Sequence, residues 1–225
     1  MKQTIYNQIN TITASLIKVG LSVEQNFPSI KDESIYISGK QDLSIALKNI
    51  AYKEIYEVLE KEKNYNIKMI DGALIQFMYM FDNEELLKYR LAFFPSPSLE
   101  EFQNNSEIYE TDEIYADVIA KNIIPTPIRF DYDPKNSIKV EHPNSHLTIG
   151  QYQNCRIPVS LAITPNIFID FILRNFYHTA QNKHMDSLSF DKVVLFENCI
   201  EDEEKNLLHI SFMERRALKN KKYSF

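Results

Sequence analysis

Between Arg129 and Arg156 the chain gathers groups able to hold an anion or move a proton. The runs RFDYDP, HPNSHLTIG and CRIP place Arg129, Asp131, Asp133, His142, His146 and Arg156 within twenty-eight residues, between apolar segments. Read as a strand, RFDYD projects Arg129, Asp131 and Asp133 from one face and Phe130 and Tyr132 from the other. Guanidinium matches an oxyanion in a two-pronged geometry, and a carboxylate beside it can hold it in position. A charge in such a row has to be paired, solvated or facing a ligand, because breaking a buried pair costs roughly 3–5 kcal/mol. The alternative to a phosphate site is an internal salt-bridge network. Arg90 and Arg174 join the ligand-binding candidates if the fold brings them to Arg129 and Arg156.

The histidines allow other chemistry. His142 and His146 flank a Pro-Asn turn, and imidazoles with a nearby carboxylate can bind zinc or manganese. They are not spaced on a helix as in HExxH, and no metal is assigned. Ser145 adjoins His146, but neighbours on a strand point to opposite faces, which disfavours a serine–histidine pair. A second pattern is His146-Leu-Thr-Ile together with His209-Ile-Ser-Phe. On strands, each histidine shares a face with a hydroxyl, as in the two-histidine phosphoesterases. There one imidazole acts as base and the other as acid without a metal. His146 and His209 are the catalytic candidates on that reading. No P-loop, GxGxxG, kinase or hydrolase signature is present, and four glycines leave little for a phosphate loop. No cofactor is expected.

Several elements have to position these groups. Ile5, Ile9, Ile12 and Leu16 recur at helical spacing, and a second amphipathic helix is predicted over residues 43–63. ESIYISG predicts a short strand. ALIQFMYMF and LLKYRLAFF predict a hairpin around DNEE, with Lys88 and Arg90 on one face. Residues 99–122 read as acidic and partly helical. SIKVEHP, SHLTIG and RIPVSLA read as strands, the last at an edge because of Pro158. Thr164 and Pro165 start a helix through NIFIDFILRNFY. KVVLFEN and LLHISFMERR are further strand candidates. Residues 213–225 form a basic tail. The reading is one α+β domain over residues 1–225: a helical part (1–63), a sheet-rich part (64–212) and the tail. N-terminal helices pack on a mainly antiparallel sheet, with one helix inserted in the C-terminal half.

The whole chain limits the partners. It has 225 residues, 44% hydrophobic and 25% charged, enough for a sizeable core. A net charge of −6 argues against a general nucleic-acid coat, which needs a basic surplus, but allows a local basic pocket. Cys155 and Cys199 lack a CxxC spacing, and with no export signal they fit a reduced, cytoplasmic setting. No run is long and apolar enough to span a membrane.

GALIQFMYMF, YRLAFFPSP, PIRFDYDP, HPNSHLTIG, CRIPV and TPNIFIDFILRNFY, in that order, resemble the uncharacterised bacterial family known as domain of unknown function 2290, DUF2290. The resemblance implies a cytoplasmic protein, sometimes encoded near mobile or defence genes. It supplies no catalytic residue. The residues then lead to a module that binds a phosphate-bearing ligand, a nucleotide or a nucleic-acid end. The alternatives are a metal-independent phosphodiesterase using His146 and His209, and a non-catalytic subunit with an operon-encoded protein partner in a defence or toxin–antitoxin system.

Overall fold

Leu74–Phe94 holds two runs dominated by aromatic and aliphatic residues around an acidic turn, and the hairpin they form is the centre of the fold. The computed structural model describes residues 1–31, 34–37, 50–98, 124–152 and 154–212. Strands β5 (Leu74–Asp82) and β6 (Glu85–Phe94) pair antiparallel from Leu74↔Phe94 to Asp82↔Glu85. The turn puts Asn83 and Glu84 at positive φ, as a tight hairpin requires. Glu84 is an unusual residue there. Its carboxylate accepts the N-terminal ammonium and the backbone N–H of Lys2, which ties the turn to the start of the first helix.

The sheet grows outward from this hairpin. On one side β7 (Ile128–Tyr132), β8 (Ser145–Ile149) and β9 (Ile157–Pro158) follow in order. On the other, β4 (Ile67–Met69) and β3 (Ser34–Ile37) pair with different parts of β5. Beyond them lie β1 (Ser22–Gln25) against β4 and β2 (Pro28–Lys31) against β3. Among the described residues, all nine strands are antiparallel to their neighbours.

Helices cover the two faces. Helix α1 (Lys2–Lys18) buries Ile5, Ile9, Ile12 and Leu16 completely. It ends at Gly20, whose positive φ lets Leu21 N–H reach Leu16 O and Gly20 N–H reach Ile17 O. Helix α3 (Pro165–Phe176) starts where Thr164 Oγ1 accepts the Ile167 N–H. Its fully buried Phe168 meets Phe77 and Phe130 edge-on, at 5.8 and 6.0 Å. Ile75, Phe77, Phe93 and Phe130 share this core with α1 and α3. Helix α2 (Tyr52–Lys61) lies on the opposite face, where Ile55, Tyr56 and Leu59 pack on Leu74, Ala92 and Phe94. Short helices α4 (His178–Lys183), α5 (Met185–Leu188) and α6 (Asp202–Lys205) complete the C-terminal half.

The fold class is the expected mixed α+β. Some elements differ. The expected strand in ESIYISG is β3, and two further strands, β1 and β2, precede it between α1 and α2. Pro28 opens β2; as the first residue of its strand it needs no N–H for the ladder. SIKVEHP closes into a tight loop with one bridge, Ile138↔His142, and Val140 at positive φ. LLHISF contributes only the bridge Val159↔Ile210. The helix expected at 99–122, the start of the one at 43–63 and the tail at 213–225 lie outside the described residues. Among the described residues no helix is long and apolar enough to cross a membrane.

Candidate functional site

Register aligns the chemistry-bearing residues across the sheet. Arg90 stands opposite Asp131, Asp131 opposite His146, and His146 opposite Pro158, so four strands supply one row on the face that α2 partly covers. Ala92, Arg129 and Thr148 form the next row on the same face. Phe130 and Tyr132 point into the other side, where Tyr132 stacks on Tyr89 at 5.9 Å. The alternation is therefore realised from Arg129 to Tyr132.

Asp131 is the hub. Arg90 Nε donates to Oδ1 at 2.9 Å from the neighbouring strand, and Arg129 Nε donates to Oδ2 from two residues back along its own strand. The side chains of Arg90, Arg129 and Asp131 are only 14%, 11% and 8% exposed. Burial alone would raise the Asp131 carboxyl, but Arg90 and Arg129 together hold it below the usual carboxylate range. Burial also pulls Arg129 down, with the opposing pull of Asp131 and the repulsion of Arg90 and Arg156 following. Two guanidinium charges thus share one carboxylate. Each arginine spends its Nε on Asp131, and the terminal Nη atoms of both make no bond to another described residue.

His146 closes the row. Its Nδ1 lies 3.0 Å from Pro143 O, which can only accept, so the proton sits on Nδ1. Nε2 then turns its lone pair toward Asp131 Oδ2, 3.9 Å away. Burial, with smaller pushes from His142 and Arg129, lowers His146 to about 4 despite the attraction of Asp131. The ring is neutral at pH 7 and stacks obliquely on His142, with centroids 4.9 Å apart. His142 Nδ1 is held by Asn136 O at 2.7 Å.

A pH dependence follows. Unfolded, His146 takes a proton near pH 6.5; folded, it resists until about pH 4. Between those values the unfolded chain binds more protons, so stability falls as the pH drops, by up to about 3 kcal/mol. Urea unfolding at pH 7 and pH 4.5 is expected to show a steeper loss for the wild type than for His146→Asn. Equal losses would mean that the folded imidazole titrates like a free one.

The remaining candidates divide. Arg156 is half-buried, donates to Glu141 O at 3.4 Å, and is close enough for its charge to bear on Arg129. Asp133 does not orient an arginine. Lys88 Nζ holds it at 2.9 Å and Asn136 Nδ2 donates to both its oxygens, so it belongs to a neighbouring pair. The signal for Lys88 in the sequence is its alternation with Arg90 on β6. Arg174 is elsewhere: it sits on α3, packed on the opposite face, with Nε on Asp170 at 2.9 Å. Ser145 faces the core and donates to Leu161 O, away from the His146 side. His209 Nδ1 is bonded to Leu207 O, and no contact joins it to His146 among the described residues. No cluster of three metal-ligating side chains occurs among the described residues.

An antiparallel sheet clasped by helices, with a buried arginine–carboxylate–histidine row on one face, defines an α+β protein. The family of uncharacterized conserved proteins termed DUF2290 matches residues 21–212, and the chain belongs to that family. No curated protein and no solved structure matches it.

Proposed function

We propose that this protein recognises a phosphate-bearing ligand, a nucleotide or a nucleic-acid end, through Arg90 and Arg129 with Arg156 at the rim. The observation that carries this reading is charge imbalance in a sheltered place. Arg90 and Arg129 bring two positive charges to the one negative charge of Asp131, and Arg156 adds a third nearby. An uncompensated charge taken from water costs several kcal/mol. An oxyanion lying across the free Nη edges would remove that imbalance and take charge-assisted hydrogen bonds from both guanidinium groups. Asp131 keeps the two forks in place before the ligand arrives, which reduces the ordering cost of binding. His146, neutral, is held at the end of the row by its Nδ1–H bond to Pro143 O. The free state of Cys155 and Cys199 suits a reducing, cytoplasmic setting. A role beside bacterial defence genes rests on the family resemblance alone.

Isothermal titration of the full chain with inorganic phosphate, nucleoside 5′-monophosphates and 5′-phosphorylated against 5′-hydroxyl oligonucleotides tests this reading. Each lost charge-assisted hydrogen bond is worth about 1.5–3 kcal/mol, so Arg129→Gln and Arg90→Gln are each expected to weaken binding at least about tenfold. Phosphorylated and unphosphorylated ends bound alike, or variants binding as tightly as the wild type, would refute it.

A further inference from the structure

Lys88 repeats, two residues along β6, the arrangement of Arg90. Both side chains stand on the face of the sheet that carries the arginine row. Each is fixed by a carboxylate from the neighbouring chain segment: Arg90 Nε by Asp131 Oδ1 and Lys88 Nζ by Asp133 Oδ2, both at 2.9 Å. An imidazole closes each row. His146 stands opposite Asp131, and His142 lies beside Asp133. The two rings lie against each other, with centroids 4.9 Å apart. Two residues of a strand span about 7 Å, so that is the spacing between the two cations along β6.

The rows differ in enclosure. Arg90 and Arg129 are nearly buried, whereas the Lys88 side chain is 43% exposed. Lys88 also has donors to spare. Its ammonium carries three protons, and the bond to Asp133 uses one. Asn136 Nδ2 donates to both oxygens of Asp133, so that carboxylate keeps a partner when the lysine turns to another anion.

We infer that the ligand is the phosphorylated end of a nucleic-acid strand, its terminal phosphate on Arg90 and Arg129 and its next phosphate on Lys88. The inference rests on the anion reading above and extends it from one phosphate to two. Cations tracking the backbone are how a sheet follows a single strand, and the two rows repeat at the spacing of successive phosphates in an extended one. A terminal phosphate carries the larger charge and suits the enclosed pair of guanidinium groups. An internal phosphate carries one charge and has chain on both sides, which suits a single ammonium open to solvent. Asp131 and Asp133 hold the two cationic tips a row apart, too far to close together on the adjoining phosphates of a nucleoside diphosphate.

The test is calorimetric titration of the full chain with adenosine monophosphate, adenosine diphosphate and a diadenylate phosphorylated at its 5′ or its 3′ end. The phosphorylated diadenylate of one polarity is expected to bind at least about tenfold tighter than the monophosphate, the gain of one more charge-assisted hydrogen bond. Its salt dependence should steepen by about 0.7 in log–log slope for the second phosphate. Lys88→Gln is expected to abolish both differences and to leave monophosphate affinity within about twofold of wild type, whereas Arg129→Gln weakens every ligand. Lys192→Gln removes the same charge beside Asp170, on the α3 face, and should change nothing. Monophosphate and diadenylate bound alike would overturn the inference and leave the anion site standing; binding of neither would overturn both. Lys88→Gln weakening the monophosphate as much as the diadenylate would put the amine on the first phosphate. Adenosine diphosphate matching the diadenylate, with the same dependence on Lys88, would make the ligand a nucleoside diphosphate. Either result overturns the inference equally.

Discussion

Asp131→Ala is expected to destabilise the protein by about 3–5 kcal/mol, because it leaves Arg90 and Arg129 facing each other on the sheet without their shared carboxylate. Both guanidinium groups are nearly enclosed, so water cannot fully replace the lost partner. Chemical unfolding of wild type and variant measures the difference. The loss should shrink in sulfate or phosphate, because an anion from solution can occupy the vacated position, and this rescue should exceed any gain shown by the wild type. A companion variant separates stability from recognition. Replacing Arg90 and Arg129 by Met and Asp131 by Leu removes all the charges together. Apolar replacement of a buried ionic group is often neutral or stabilising by about 1–4 kcal/mol. The triple variant should therefore fold at least as well as Asp131→Ala while binding no phosphate. A loss of only a few tenths of a kcal/mol in Asp131→Ala would show that the row is more open to water than its exposure indicates.

Phe168→Ala should cost about 3–5 kcal/mol for a different reason. Phe168 is fully buried and lies between Phe77 of β5 and Phe130 of β7, edge-on to both. Truncation loses the transfer free energy of the ring, leaves a cavity, and removes two aromatic contacts worth about 0.5–1.5 kcal/mol each. Phe130 stands between Arg129 and Asp131 in sequence, so the same cavity loosens the strand that carries the hub of the site. Leu208→Ala is the matched control. Leu208 is 87% exposed and its truncation should stay within about 0.5 kcal/mol of wild type. Thermal or urea unfolding of the two variants side by side decides the point. A Phe168→Ala effect as small as that of Leu208→Ala would mean that α3 does not hold the sheet.

Much of the frame was legible from local pattern. The β5–β6 hairpin follows from two runs rich in aromatic and aliphatic residues around an acidic turn, and α3 follows from Thr164 and Pro165 before an apolar stripe. The face shared by Arg129 and Asp131 follows from the two-residue period of a strand. What a period cannot supply is register between distant segments. Arg90 meets Asp131 only because β6 and β7 are neighbours, and 41 residues separate them in sequence. Residue type alone groups Arg174 with the other arginines, although its helix packs on the opposite side of the sheet. Asp133 was grouped by alternation, yet β7 ends at Tyr132 and the turn delivers Asp133 to Lys88 and Asn136. KVVLFEN has the composition of a strand, but a strand also needs a neighbour, and among the described residues only Asn198 of this run is bridged, to Leu161.

Recognition of an oxyanion by the paired arginines is tested most directly at the guanidinium groups themselves. The measurement is nitrogen-15 magnetic resonance of arginine-labelled full-length protein during titration with inorganic phosphate. Saturable shifts of the Arg90 and Arg129 Nη signals, absent from Arg174 and abolished by Arg129→Gln, are the expected result. Signals that stay unmoved through millimolar phosphate, or that move equally for every arginine, would contradict it.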